Sequence, residues 1–364
     1  MQSTKTTKQS PKVTKQPKKQ IKKFVLISLA LTLIAIAAVG LWAWMEITRP
    51  VKFDAGEVEL NVKKGMSFKQ ALRALNQQGM NRNAALFYAV GIYSGMDRKL
   101  KSGYYALKSG MTPAEILDKF VRGDTIKVRL TVIPGGTIRG AAGIFEKAGV
   151  VDAAEFLEMA KDKALLSALK IDAPSLEGFL MPDTYIFEKG VTAKEAVESM
   201  VNNLRKRYPA GFSARLAQLG MSETEVLALA SIIEREAAVD EERAVISAVY
   251  HNRLRLGMRL EADPTCIYGI KSFKEGVRHS DILNDSPYNT YRIRGLPPGP
   301  IAMPSQKSIA AALYPSNDPY LFFVSNNDGT HSFSTTFGRH RKAVSALSKK
   351  KAAERKSAKS RLKG

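Results

Sequence analysis

The chain has 364 residues, enough for two or three domains with cores of their own, and a formal charge of +22 from 56 Lys/Arg against 34 Asp/Glu. The excess sits at the ends: residues 1–23 hold eight Lys and no acid, residues 339–364 hold eleven Lys/Arg against Glu354 alone, and residues 47–338 carry a net of about +5. The folded part is therefore nearly balanced, which argues against a nucleic-acid partner. One cysteine, Cys266, excludes an intrachain disulfide, and the four histidines at 251, 279, 331 and 340 show no ligand spacing, so no metal site is expected.

Residues 1–23 are Lys, Gln, Thr, Ser and Pro, a composition that cannot bury a core and predicts a disordered tail. Residues 24–45, Phe24 to Met45, then run uncharged and rich in Leu, Ile and Ala, with Trp42 and Trp44 at the far end. At about 1.5 Å per residue the run reaches about 33 Å and spans a bilayer. It is longer than the apolar region of a cleaved signal peptide, so the reading is a retained anchor with the lysine flank in the cytoplasm.

Residues 46–125 read as a small α+β unit. Val58, Leu60 and Val62 alternate as in a strand, Lys64-Gly65 turns, and Ser67 caps a helix carrying Phe68, Ala71, Leu72 and Leu75. A helix over 84–93, a strand over Gly103–Leu107 and a helix from Thr112-Pro113 to Val121 follow. Residues 127–149 repeat the opening grammar at an offset of 70, matching Leu60/Leu130, Gly65/Gly135, Ala71/Ala141 and Gly79/Gly149. Duplication and chance fit this equally well.

The unusual residues lie between 126 and 338. Leu176 to Tyr185 sets two carboxylates, Glu177 and Asp183, around Gly178 and Pro182, as a turn or as acid-base partners. Ser222 and Glu225 form a capping box that opens a helix, in which Val226, Ala230, Ile233 and Ala237 make an apolar stripe. Glu234 falls about 80° from the centre of that stripe, at its margin, where a carboxylate is partly desolvated as a general acid requires. The plainer reading pairs it with Arg243 or another arginine. Arg235 and Glu236 point away and are expected in water. Asp240-Glu241-Glu242 opens a second helix whose face is Val245, Ala248, Val249, Asn252 and Leu256, ending at Gly257. Asn252 on that face either satisfies the following loop or meets a ligand.

Beyond it, Ser286-Pro287-Tyr288-Asn289-Thr290-Tyr291 alternates rings with hydrogen-bonding side chains, and Gly295–Ile301 is stiffened by three prolines. Such loops suit an elongated polar ligand with apolar faces, which describes a sugar chain, so Tyr288, Asn289 and Tyr291 are candidate ligand contacts. The alternative is that they pack the loop. Residues 320–324 read as a buried strand with 329–333 as its hairpin partner, and residues 339–364 as a basic tail.

In order and spacing these segments resemble the endolytic murein transglycosylases, the MltG (YceG-like) family, from about Val58 to His340. The match is carried by Glu177-Gly178-x-x-x-Pro182-Asp183-Thr184-Tyr185, Ser231-Ile232-Ile233-Glu234, Asn252-Arg253-Leu254, Asp263-Pro264-Thr265, Ser286 to Tyr291 and Gly295 to Ile301. Members often show Asn-Pro-Gly after that last run, where this chain has Met303-Pro304-Ser305. The resemblance implies an α+β protein of the cell inner membrane: a single N-terminal transmembrane helix, a LysM-like subdomain at 46–125, and a mixed α/β catalytic domain at 126–338 facing the periplasm, with 126–150 free to pack on the LysM-like unit. It assigns the catalytic carboxylate to Glu234; beside it, the residues themselves offer Glu177, Asn252, Tyr288, Asn289 and Tyr291 as substrate-binding candidates and Glu177 or Asp183 as a second carboxylate if one is used. It implies no cofactor, peptidoglycan glycan strands as substrate, and peptidoglycan synthases as further candidate partners. The activity implied is cleavage of MurNAc–GlcNAc bonds in nascent strands to leave 1,6-anhydro ends. A hydrolase using the same carboxylates and a non-catalytic wall-binding scaffold are the rival readings.

Overall fold

A computed structural model describes residues 17–80, 83–93 and 95–361. The chain divides into two compact units, residues 1–126 and 127–364. The predicted tail at 1–16 lies outside the described residues.

In the first unit, α1 runs Pro17–Thr48. Its segment Ile21–Thr48 contains an 18-residue stretch of mean hydropathy 2.7, none of it buried, so it is long and apolar enough to cross a membrane. The helix starts ahead of the predicted boundary at Phe24: residues 17–23 are helical rather than disordered, since Lys and Gln extend a helix that the apolar run has already nucleated. There follow β1 (Glu57–Val62), α2 (Phe68–Gln77), α3 (Ala84–Tyr93), β2 (Gly103–Lys108) and α4 (Pro113–Arg122). β1 and β2 pair antiparallel, Leu60 opposite Tyr105. The alternation read from the sequence is the burial pattern observed, with Val58, Leu60 and Val62 inside against Leu72, Leu75, Ile116 and Phe120. Ser67 with Gln70 and Thr112 with Glu115 close capping boxes, and Gly123 at φ +72° ends α4.

The second unit opens with β3 (Lys127–Thr131), α5 (Ile138–Lys147), α6 (Ala153–Met159), α7 (Lys163–Ala168), β4 (Thr184–Glu188) and α8 (Ala193–Lys206). β3 pairs antiparallel with β4, which places residues 127–150 in this unit. The repeat at an offset of 70 is structural: Gly65 and Gly135 sit at φ +81° and +72°, Gly79 and Gly149 at +81° and +66°. The likeness continues at an offset of 80. Tyr105 and Tyr185 each donate to a carbonyl four residues back, Lys101 and Met181, and Thr192 with Glu195 repeats the capping box of Thr112 with Glu115.

Next come α9 (Phe212–Leu219), α10 (Glu223–Glu236), α11 (Arg243–Arg255), α12 (Asp263–Ile267), α13 (His279–Ile282), α14 (Gln306–Leu313), the antiparallel hairpin β5 (Phe322–Ser325) and β6 (His331–Ser334), and α15 (Phe337–Arg361). Among the described residues every strand pair is antiparallel, so the unit mixes helices with two small two-stranded sheets, β3–β4 and β5–β6. β5 is half-buried, not buried: helices α11 and α15 pack on it while the edges of a two-stranded sheet stay open. The predicted face of α11 is also rotated. Ile246, Ala248, Val249, Tyr250 and Arg253 are buried while Leu256 is 58% exposed. Arg253 goes inside because its guanidinium finds the carbonyls of Leu321, Arg259 and Leu260 at 2.7, 3.2 and 2.9 Å and the Glu261 carboxylate at 3.1 Å.

Candidate active site

α10 is the central element of the second unit. Ser222 and Glu225 cap it as predicted, but Val226 through Ile233 are all buried, packed by α11, α12 and α14, so the helix has no solvent face over that stretch. Glu234 emerges one residue beyond, its side chain 8% exposed. Four donors converge on its Oε2: the Ser305 N–H at 2.9 Å, the Ser305 hydroxyl at 2.5 Å, the Ser308 hydroxyl at 2.8 Å and Arg243 Nη1 at 3.3 Å. Arg243 also donates to Ser308 Oγ at 2.5 Å and to Asp240 at 2.9 Å, which fixes both hydroxyl and guanidinium. Among the described residues no donor is bonded to Oε1. The carboxylate is thus clamped by one oxygen and offers the other for proton transfer, within hydrogen-bond reach of whatever lies there.

Two turns wall this carboxylate. Gly135 lies so close that a Cβ there would stand 3.9 Å from Glu234 Cγ and 3.2 Å from Arg235 Nη1. Its N–H donates to Met303 O at 2.9 Å, and the Met303 N–H returns to Gly136 O at 2.8 Å. The Ile133–Thr137 turn and the Ile301–Ser305 segment are therefore zipped together beside Glu234. Ser231, one turn earlier on α10, accepts the Ile301 N–H at 3.0 Å and anchors the same segment.

Arg235 and Glu236 are not in water. Arg235 donates to Gly135 O at 3.3 Å and stacks over Phe273 at 4.2 Å. Burial pulls its pKa down from the usual arginine value, against the pull of Glu234 and Glu236. Glu236 is pushed up to about 8, first by burial and then by the Asp263 carboxylate, with the Tyr250 hydroxyl 3.4 Å away. A helical wheel leaves both outside, but the loops after α11 fold back over that side of α10.

The other candidates fall into separate places. Glu177 is buried, its carboxylate accepting the Ile138 N–H at 3.0 and 3.2 Å and the Tyr268 hydroxyl at 3.2 Å. Burial pushes it up to about 8, opposed by those donors and the Gly178 N–H. Asp183 accepts from Asn203 at 3.1 Å and pairs with Arg207; these bonds, Asn203 first, hold it below the usual carboxylate range. Asn289, 0% exposed, spends its amide on the carbonyls of Ile282 and Asn284 at 2.9 and 2.8 Å and accepts the Tyr291 N–H at 3.1 Å. These bonds hold its own loop. The alternation of rings and amides there serves loop closure: Tyr291 donates to Asp263 at 2.6 Å, and Tyr288 packs on Tyr268 at 4.7 Å between centroids. Asn252 donates to the carbonyls of Asp318 and Tyr320 at 2.9 and 3.0 Å, tying α11 to the chain before β5. None of these six is hydrogen-bonded to Glu234. Arg243 is the partner the plainer reading named. Ser305 and Ser308 were missed; the only local sign is that Ser305 caps α14.

A family model described as the YceG-like family matches residues 60–346. The chain belongs to the YceG-like family. It is 29% identical over 313 residues to the endolytic murein transglycosylase of Bacillus subtilis, covering 82% of this chain and 87% of that protein. It is 24% identical over 343 residues to the endolytic murein transglycosylase of Streptococcus pneumoniae, covering 84% of this chain and 61% of that longer protein. A crystal structure of a yceG-like protein from Listeria monocytogenes superimposes with a TM-score of 0.55 at 30% identity, covering 79% of this chain and 99% of that one.

Proposed function

We propose that this YceG-like chain is a membrane-anchored lytic transglycosylase that cuts the MurNAc–GlcNAc bonds of peptidoglycan, with Glu234 as its catalytic acid and base. The observation that carries the reading is the Glu234 carboxyl itself, clamped through Oε2 with Oε1 left for the substrate. Glu234 gives its proton to the glycosidic oxygen as the C1–O bond breaks. The resulting carboxylate takes the proton of the muramyl 6-hydroxyl as O6 bonds to C1, which closes a 1,6-anhydro ring and returns Glu234 to its starting state. Water is not consumed, so the second carboxylate that ordinary glycoside hydrolysis employs is not required. The engagement of Glu177 with backbone and tyrosine, and of Asp183 with Arg207, supports a single acting carboxylate.

α1 would hold the second unit at the outer face of the cytoplasmic membrane, where nascent strands emerge, and cutting there would set strand length. The β1–α2–α3–β2 unit would serve as a LysM-like glycan holder. Mass spectrometry of digested glycan strands tests the activity. Anhydro ends support it, new reducing ends make the protein a hydrolase, and no cut with retained binding makes it a scaffold.

A further inference from the structure

The sequence offers Glu177 as a substrate-binding candidate or a second carboxylate, yet its side chain is buried, 5% exposed, and spent on protein donors. A buried carboxyl in a protein interior is costly unless it is doing something specific with its donors. Its contacts are long-range and converge on the two turns that wall Glu234. Oε1 and Oε2 accept the Ile138 N–H, the first amide of α5, directly after the Ile133–Thr137 turn. Oε2 also accepts from Tyr268, which packs on Tyr288. Its chain neighbour Gly178, at φ +78°, leaves no room for a Cβ: one built there falls closer than 3.0 Å to the Pro300 ring and 3.2 Å from Ala302 O. Glu177-Gly178 therefore grips one turn by hydrogen bond and the other by contact. The grip reaches Glu234 through the Gly135–Met303 backbone pair and through Ser305.

We infer that Glu177 is a positioning residue for Glu234: by pinning the start of α5 and Tyr268 it sets the Ile133–Thr137 turn and the Ile301–Ser305 segment against the catalytic carboxyl. The inference rests on the transglycosylase reading and deepens it. An error of about 1 Å in a reacting group costs up to about 100-fold in turnover, so a loosened wall is read in kcat.

The experiment measures anhydro-end formation from purified uncrosslinked glycan strands by the full-length protein in detergent, with folded fraction fixed by circular dichroism. Glu177→Ala is expected to lower kcat about 10- to 100-fold with KM within about twofold of wild type, because the groups that touch glycan are retained. Glu177→Gln keeps an acceptor for Ile138 and a partner for Tyr268, and is expected to restore kcat to within about threefold. Tyr268→Phe removes one of the bonds and should fall between the two. Should Glu177→Ala not fold, the Gln and Tyr268→Phe variants decide alone. Wild-type kcat in Tyr268→Phe together with a large loss in Gln overturns the inference and points to the charge itself. A raised KM at unchanged kcat in Glu177→Ala overturns it in favour of substrate contact, and unchanged kinetics overturns it outright. If wild-type protein makes no anhydro ends, the functional reading itself fails, a result separate from any of these.

Discussion

Gly178→Ala puts the close approach at the wall of the site to a quantitative test. The residue sits at φ +78°, where an L side chain costs about 1–2 kcal/mol. The new Cβ would overlap the Pro300 ring and crowd Ala302 O, both in the stiff Gly295–Ile301 region and its continuation, and overpacking of this kind costs about 1–3 kcal/mol. Restricting the unfolded chain returns about 0.4–1 kcal/mol. The net destabilisation is about 2–4 kcal/mol, which for a body of this size lowers Tm by about 5–15 °C. The control is Gly257→Ala: φ is +65° but a Cβ meets nothing within 4 Å, so strain alone acts and the loss is about 1 kcal/mol, or about 2–4 °C. Differential scanning calorimetry of both variants separates the two contributions. Because Pro300 and Ala302 lead into the segment that bonds Glu234, Gly178→Ala should also cut glycan more slowly per folded molecule at temperatures well below its Tm. Equal Tm losses in the two variants would show that the Pro300 contact carries no energy and that the wall is not tightly set.

Glu234→Gln should fold normally and cut at least about 10²–10⁴-fold more slowly, since Gln keeps the shape but neither gives nor takes the proton; activity above a few per cent of wild type reassigns the acid. Asn289→Ala should lower Tm by several degrees, at about 1–3 kcal/mol for carbonyls left unpaired, with turnover per folded molecule intact, and a fall in turnover at unchanged Tm returns Asn289 to the ligand site. Glu177 and Glu236 are both raised to about 8 by burial, against an ordinary 4.5. Their contribution to stability is complete below about 4.5 and is lost as pH rises through about 8, because the unfolded state ionises first. Tm should therefore decline from pH 5 to pH 8, and Glu177→Gln should flatten part of that slope; a Tm that rises over this range contradicts both burials. For topology, protease added to spheroplasts should digest the protein beyond Thr48 and spare a tag at Met1, and a mature chain beginning near residue 40 would make α1 a cleaved signal.

Much of the secondary structure was legible because its signals are local. Ser67, Thr112 and Ser222 each satisfy orphan amides within the next turn, and the glycines after α4 and α11 stop those helices with their own backbone, so no distant residue is needed. The motif around Glu234 was legible for the same reason, as was Arg243, nine residues away. Burial depends on partners that the helical period does not encode. The same periodicity that placed Glu234 at a stripe margin left Arg235 and Glu236 in water, yet Phe273 and Gly135 hold the first and Tyr250 of α11 meets the second. Arg253 lies outside the face that the periodicity gave α11, yet carbonyls from residues 259, 260 and 321 draw it inside. The donors on the Glu234 carboxylate, Ser305 and Ser308, stand 71 and 74 positions along the chain, and the backbone that walls it comes from residue 135 on the other side. A sequence states which groups can donate and accept; which of them meet is set by the packing of α10 between α11, α12 and α14, because a buried polar atom takes whatever partner the closed core leaves within about 3 Å.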